Sequence, residues 1–230
     1  MVIKMRLRIV YWGHACFQLD ILDKGITLVF DPFDPVTTGD LSIPEKAADI
    51  VLCSHEHFDH ANWRPVIKTG GAHLVKFFGE KEVHGIKIIG VKTAHDDAGG
   101  RYRGLNSAYL VLVNNTKIIH LGDLGHILNN EQVSMLTQYG RPDILFIPIG
   151  SVYTIGPHEA LEIINQLNPR AVFPMHYNHP KLNQGIFGHL KTIDDFLKLW
   201  KGNVNRFDKN QIELDTNALP SETTVYVLTF

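Results

Sequence analysis

The chain has 230 residues, 44% of them apolar and 20% charged, with a formal net charge of −2. That length suits a single domain spanning 1–230, and the composition reads as an ordinary soluble globular protein. A charge this near zero gives no global attraction to nucleic acid or to anionic membranes. The two cysteines, Cys16 and Cys53, lie in apolar runs and read as reduced core thiols, with a disulfide left open by their number. Met1–Arg6 mixes charged and apolar residues and lacks a signal-peptide apolar region. No apolar run reaches the ~18 residues of a membrane span, so the expected setting is the cytoplasm.

Leu7–Tyr11 and Ala15–Leu19 read as strands around Trp12-Gly13-His14, with Gly13 supplying the turn. Ile26–Phe30 is a third apolar run, stopped by Asp31-Pro32-Phe33-Asp34-Pro35 because Pro cannot continue a central strand. Thr37–Pro44 reads as a loop and Glu45–Ala48 as a short helical turn. Asp49–Cys53 reads as a buried strand that delivers Ser54-His55-Glu56-His57-Phe58-Asp59-His60. A helix over Ala61–Lys68 is expected to follow. His55, His57, Asp59 and His60 are metal-ligand types packed at a strand end, where side chains can converge. Imidazole and carboxylate suit Zn²⁺ and tolerate Mn²⁺ and Fe²⁺. An extended backbone points His55 and His57 to one side. Asp59 and His60 come after the bend and face a second position, and a following helix would favour the Asp59 charge at its N-terminus.

The His-x-His-x-Asp-His pattern resembles the signature of the metallo-β-lactamase-fold hydrolases, over about Arg8 to Pro180. Within them the chain looks closest to the compact group similar to L-ascorbate-6-phosphate lactonase. The resemblance implies an α/β fold: an αββα sandwich of two mixed β-sheets covered by helices, with metals at one sheet edge. It also implies that Asp31 buttresses the metal loop without binding metal. For His14 two readings stay open, facing the metal site or capping a turn.

Ala72–Phe77 and Ile86–Val91 read as strands, separated by a polar, turn-forming Gly79–Gly85 whose His84 is solvated. Lys92-Thr93-Ala94-His95-Asp96-Asp97 follows. A lone His at a strand end is usually structural, but the resemblance puts a third His here, so His95 joins His55 and His57. Asp96 or Asp97 orients His95, or both are solvated. Gly99–Asn106 is Gly-rich and carries Arg101 and Arg103. It reads either as an anion-attracting flap, one Arg binding a substrate anion, or as a hairpin loop with solvated charges.

Ser107–Val113 and Lys117–Leu121 form a hairpin about Asn114-Asn115. It ends at Gly122-Asp123, where the resemblance implies a carboxylate bridging two metals, a role its two oxygens and charge suit. His120 and His126 flank Asp123, either supporting ligands or facing substrate, with a structural role favoured for His126. Asn129–Tyr139 reads as a helix stopped by Gly140, and Asp143–Pro148 as a strand. Gly156-Pro157-His158-Glu159 opens a helix whose apolar residues Ala160, Leu161, Ile163, Ile164 and Leu167 recur at helical spacing. Ala171–Asn178 is strand then loop. The resemblance implies that His176 is the last ligand, with Tyr177 and Asn178 lining the pocket. His158, His179 and His189 carry weaker signals. Thr192–Lys201 reads as an amphipathic helix, and Gln211–Leu214 and Thr224–Phe230 as closing strands.

The resemblance thus implies two divalent metal ions, Zn²⁺ foremost with Mn²⁺ or Fe²⁺ allowed. His55, His57 and His95 would hold one, Asp59, His60 and His176 the other, and Asp123 both. Two adjacent cations lower the pKa of a water between them and give a nucleophile near neutral pH. The expected activity is hydrolysis of an ester, lactone or phosphoester in a small-molecule substrate, an anionic one if the Arg101/Arg103 loop is a flap, with Asp59 or Asp123 relaying a proton. No Gly-x-Ser-x-Gly elbow offers a covalent alternative. The runner-up is a phosphodiesterase or nuclease of the same fold, disfavoured by the charge. The alternative of a different class is a non-catalytic metal-dependent sensor.

Overall fold

Leu28, Phe30, Ile50 and Leu52 belong to the main core, whereas Val29, Val51 and Cys53 belong to a second apolar cluster with Cys16, Phe33 and Val66. Two adjoining strands are therefore buried on both faces, which is why they read as unbroken apolar runs. The computed structural model of the chain describes residues 5–230, so Met1–Lys4 and their sequence reading lie outside the described residues.

Numbered along the chain, the strands are β1 (Arg6–Gly13), β2 (Cys16–Ile21), β3 (Ile26–Phe30), β4 (Ala48–Cys53), β5 (Ile67–Val75), β6 (Gly79–Val83) and β7 (Ile86–Ala94). They continue as β8 (Leu105–Val113), β9 (Thr116–His120), β10 (Ile144–Pro148), β11 (Ala171–Met175), β12 (Asn203–Phe207), β13 (Gln211–Asp215) and β14 (Thr224–Leu228). The helices are α1 (Pro35–Thr38), α2 (Asn130–Thr137), α3 (Pro157–Leu167), α4 (Gln184–Phe187) and α5 (Ile193–Leu199). One sheet runs β13-β1-β2-β3-β4-β5, the other β12-β14-β11-β10-β9-β8-β7-β6. Both are mixed: β3, β4 and β5 are parallel, as are β9, β10, β11, β14 and β12, while the other pairings are antiparallel. The main core joins residues of both sheets with residues of α2, α3 and α5.

Pairing direction positions the site. β7 and β9 both run antiparallel to β8, so they share a direction with each other and with β10 and β11. His95, Asp123 and His176 follow the carboxyl ends of β7, β9 and β11, and the His55–His60 loop follows that of β4.

Several elements differ from the sequence reading. Ala61–Lys68 is not helical. Val66 and Ile67 close a turn onto the Trp63 carbonyl, and Pro65 takes part in no helix, so the chain passes directly into β5. The helical turn expected at Glu45–Ala48 is absent too: Lys46 has φ 44° and the chain enters β4. Gly79–Val83 is an edge strand, not a loop; only His84-Gly85 turns, both at positive φ. Its Glu80-Lys81-Glu82 is exposed, so it carries no apolar alternation, and such charge protects a sheet edge. β12 escaped notice for the same reason, and the four-residue α1 and α4 are too short for a helical period.

α2, α3 and α5 pack on one another and into the main core, α3 through Ala160, Ile163, Ile164 and Leu167. The outer face of the first sheet is covered by loop residues, among them Phe33, Leu41, Trp63 and Val66. No helix of the described residues is long and apolar enough to cross a membrane.

Candidate metal centre

Asp31, at the end of β3, organises the floor of the site. Its Oδ1 accepts the Ser54 backbone N–H at 2.6 Å, and its Oδ2 accepts the Ser54 hydroxyl at 2.7 Å and faces His60 Nδ1 at 2.9 Å. Ser54 Oγ, whose hydroxyl donates to Asp31, accepts from His55 Nδ1 at 2.9 Å. Both rings thereby donate through Nδ1 and turn Nε2 inward. Burial raises the Asp31 pKa, but His60, His120 and His55 outweigh it and hold the carboxyl below its ordinary value.

The remaining groups converge on the same point. Asp123 Oδ2 lies 3.2 Å from His60 Nε2 and from His95 Nε2, 3.3 Å from His176 Nε2 and 3.9 Å from His55 Nε2. Asp123 is aimed by Asn106, whose Oδ1 accepts the Asp123 N–H at 2.9 Å. The residue before it must be Gly: Gly122 has φ +55°, and a Cβ there would lie 2.3 Å from Ser54 Cβ. His55, His57 and His95 form one potential metal-binding group, and His14, Asp59, His60 and His176 another. In each group the candidate ligand atoms lie within 4.8 Å of one another. His14 thus belongs to the site, its Nε2 3.1 Å from Asp59 Oδ2. His14, Asp31 and His176 all have positive φ (54°, 42° and 52°), and His176 N–H donates to the His14 carbonyl at 2.8 Å. Strained backbone of this kind collects at functional sites.

The electrostatics follow from packing imidazoles and carboxylates away from water. Burial would lower the His60 pKa, yet Asp123, Asp59 and Asp31 outweigh it and raise it well above its ordinary value. Burial raises Asp123 and Asp59, but neighbouring imidazoles hold both low. Burial and then His176 lower His14 to about 4. His60 Nε2, His176 Nε2 and Asp123 Oδ1 are buried without a well-aligned hydrogen-bond partner. Unmatched buried polar atoms need an explanation. Imidazole nitrogens and carboxylate oxygens aimed at common points fit divalent cations, which would take the place of the His60 proton, and among the described residues no thiolate takes part.

A family model described as the beta-lactamase superfamily domain matches residues 8–176. The chain belongs to the β-lactamase superfamily. A Thermococcus onnurineus protein named a metal-dependent hydrolase is 31% identical over 195 residues, 75% of this chain and 85% of that one. A Heliobacterium modesticaldum protein of the same name is 31% identical over 221 residues, 82% of this chain and 90% of that one. A Thermotoga maritima crystal structure, named as a candidate zinc-dependent hydrolase of the metallo-β-lactamase superfamily, is similar with a TM-score of 0.72 and 35% identity. The match covers 97% of this chain and 100% of that one. The two mixed sheets are those of the metallo-β-lactamase fold.

In this superfamily member a cleft of about 580 Å³ opens over Asp59, His57, His95, Asp123 and His176. Arg103 lines it and Arg101 does not. His120 is no substrate-facing group: it is buried and stacked on Phe30, its Nε2 donates to the Ala15 carbonyl at 3.0 Å, and its Nδ1 accepts the Gly122 N–H at 3.1 Å. Tyr177 does not line the cleft either, but is buried beside Tyr11 and Phe230. His126 is structural, accepting the Ala94 N–H at 3.1 Å.

Asp96 neither orients His95 nor is solvated. Its carboxylate accepts backbone N–H groups of Ala98, Gly100, Tyr102 and Arg103 at 2.8–2.9 Å. Burial works against its charge, but those four bonds lower its pKa to about 2. The sequence reading also missed Ser54, Asn106 and the cleft walls Phe58, Tyr102, Tyr153 and Phe187. Only the Asp96-x-x-Gly99-Gly100 spacing carried a usable sign, a carboxylate just ahead of a loop rich in free N–H groups.

Proposed function

We propose that the chain is a metal-dependent hydrolase acting on a small molecule through two divalent ions. The observation that carries this reading is the position of Asp123 Oδ2, within 3.3 Å of one histidine from the first group and two from the second. His55, His57 and His95 would hold one ion, Asp59, His60 and His176 the other, with Asp123 shared between them. His14, beside Asp59, is positioned to support the second. The donor set favours Zn²⁺, with Mn²⁺ or Fe²⁺ as substitutes. When bound, such a pair supplies a Lewis acid and an activated water.

The chain's own residues do the rest. Asp31 and Ser54 fix the orientation of His55 and His60 before any ion arrives. Asn106 and Gly122 fix Asp123. Asp59 and Asp123, the buried carboxylates among the cleft's lining residues, are the groups at which a proton released in hydrolysis is held. The bond favoured is an ester or lactone, by resemblance to the L-ascorbate-6-phosphate lactonase-like group, with a phosphoester next. A nuclease role is disfavoured by the net charge of −2 and by a cleft lined by a single Arg and no Lys.

Proton release is the direct test, with the purified protein metal-loaded or chelated, against lactones, sugar-phosphate esters and phosphodiesters. Chelator-sensitive turnover of lactones or esters is the expected result. Turnover confined to phosphodiesters would replace it with the runner-up, and fully loaded protein inert to every class would favour a metal-dependent sensor.

A further inference from the structure

Arg103 stands on the ridge between two clefts. The cleft over the metal centre and a neighbouring one of about 370 Å³ share His95, Arg103 and Tyr153. The Arg103 guanidinium lies 5.4 Å from the centre of the Tyr153 ring. Among the described residues no carboxylate pairs with it, although Asp97 and Glu159 line the second cleft. Arg103 lies instead over the Tyr153 ring.

Both supports are built into the backbone. On one side, Asp96 accepts the Arg103 N–H at 2.8 Å, and the loop closes through Gly104 N–H to the Gly100 carbonyl and His95 N–H to the Gly104 carbonyl, each 3.0 Å. On the other, Ser151 and Val152 have φ of 64° and 61°, and a β-branched residue there is strained. That kink carries Tyr153 over the site, where its hydroxyl reaches the Ile186 carbonyl at 3.4 Å. Two independent segments thus bring Arg103 and the Tyr153 ring together at the mouth of the metal cleft.

The walls say what accompanies the charge. Phe58, Tyr102 and Phe187 line the cleft, and Phe58 and Tyr102 are 45% and 73% exposed. Exposed aromatics around a concave polar centre mark a place where a ligand's apolar part is covered. Both clefts carry carboxylates, Asp97 and Glu159 in the second and Glu56, Asp59 and Asp123 in the first, but only in the first would bound divalent ions offset them, so an anionic group on Arg103 belongs on the metal side. Arg101 serves no such purpose: its guanidinium lies 6.0 Å from the Tyr102 ring and lines neither cleft.

We propose that Arg103 is the specificity-determining residue of this site, taking the carboxylate or phosphate of a substrate whose apolar body lies against Phe58, Tyr102 and Phe187. This rests on the reading of the metal centre as a substrate site, but its test is binding, not turnover.

Zinc-loaded protein is titrated calorimetrically with 4-phenylbutyrate, phenyl phosphate, 4-phenylbutyramide and acetate. At least one aromatic anion should bind about tenfold more tightly than the neutral amide and acetate. Arg103→Met should reduce that anion to the level of the amide. Arg103→Lys should keep part of the preference, since charge remains without the planar fork, and Arg101→Met should change nothing. Unchanged zinc content and melting temperature in the variants show that fold and centre are intact. Tighter phenyl phosphate indicates phosphate-bearing substrates, tighter 4-phenylbutyrate carboxylates. Equal binding to wild type and Arg103→Met, or no binding of either aromatic anion to wild type, overturns the proposal. Anion preference without proton release would leave this inference standing and remove the hydrolase reading; turnover without anion preference would do the reverse.

Discussion

Two aspartates, Asp31 and Asp96, brace the two halves of the site in different ways. Asp31 is wholly buried and spends its oxygens on the Ser54 backbone and hydroxyl and on the His60 ring. Asp96 lies at the base of an exposed loop and spends its oxygens on four backbone N–H groups. The first arrangement orients side chains and therefore fixes donor atoms. The second orients a segment of chain and therefore fixes where Tyr102 and Arg103 stand. Damage at Asp31 should thus appear as lost metal, and damage at Asp96 as altered substrate binding with the metal retained.

The largest effect is expected at the centre itself. Asp123→Ala or His57→Ala should abolish hydrolysis and lower bound metal, measured by turnover and by metal analysis after desalting; full activity in either variant would refute the ligand assignment. Asp31→Ala touches no ligand position directly, yet it frees His60 and strands Ser54. It should weaken metal affinity about 10- to 100-fold, as loss of an orienting partner does, readable by competition with a chromophoric chelator. An unchanged affinity would remove the distinction between the two aspartates.

Asp96→Ala should leave metal affinity unchanged and raise KM, with hydrogen exchange at the Ala98, Gly100, Tyr102 and Arg103 amides accelerated about tenfold or more, since each loses a charge-assisted bond. The same contrast has a pH form. Folding depresses the Asp96 pKa to about 2, so its stabilisation is complete above the ~3.9 of an unfolded aspartate and is lost as pH falls through about 2. Exchange protection of those four amides should therefore persist at pH 5 and collapse near pH 2. The smallest effect is expected at Val152→Gly. Relief of strain at φ 61° offsets the added chain entropy of Gly, so stability should change by no more than about 1 kcal/mol. Substrate binding should nonetheless weaken, because Tyr153 loses its fixed approach. A loss of several kcal/mol on denaturant unfolding would show that Val152 serves packing.

Much of the centre was legible because its chemistry is local. His55, His57, Asp59 and His60 fall within one loop, and strand ends at His95, Asp123 and His176 are marked by apolar runs that stop. The long strands and α3 were legible for the same reason: burial on one or two faces writes a period into the residues. β6 and β12 wrote none, because edge strands exposed to water have no face to hide. Ala61–Lys68 misled because its composition suits a helix, while the turn onto Trp63 and pairing with β4 decided otherwise.

Which atoms can bind metal, and which segments must be buried, follows from residue type and periodicity, which are properties of neighbours along the chain. It took the folded arrangement to bring His14 to the site, to bury His120 and Tyr177 away from the cleft, and to turn Arg103 and not Arg101 toward it. Those outcomes depend on contacts between segments distant in sequence, such as His14 with Asp59 and Arg103 with Tyr153. Such contacts are set by strand order and backbone strain, and no local pattern records them.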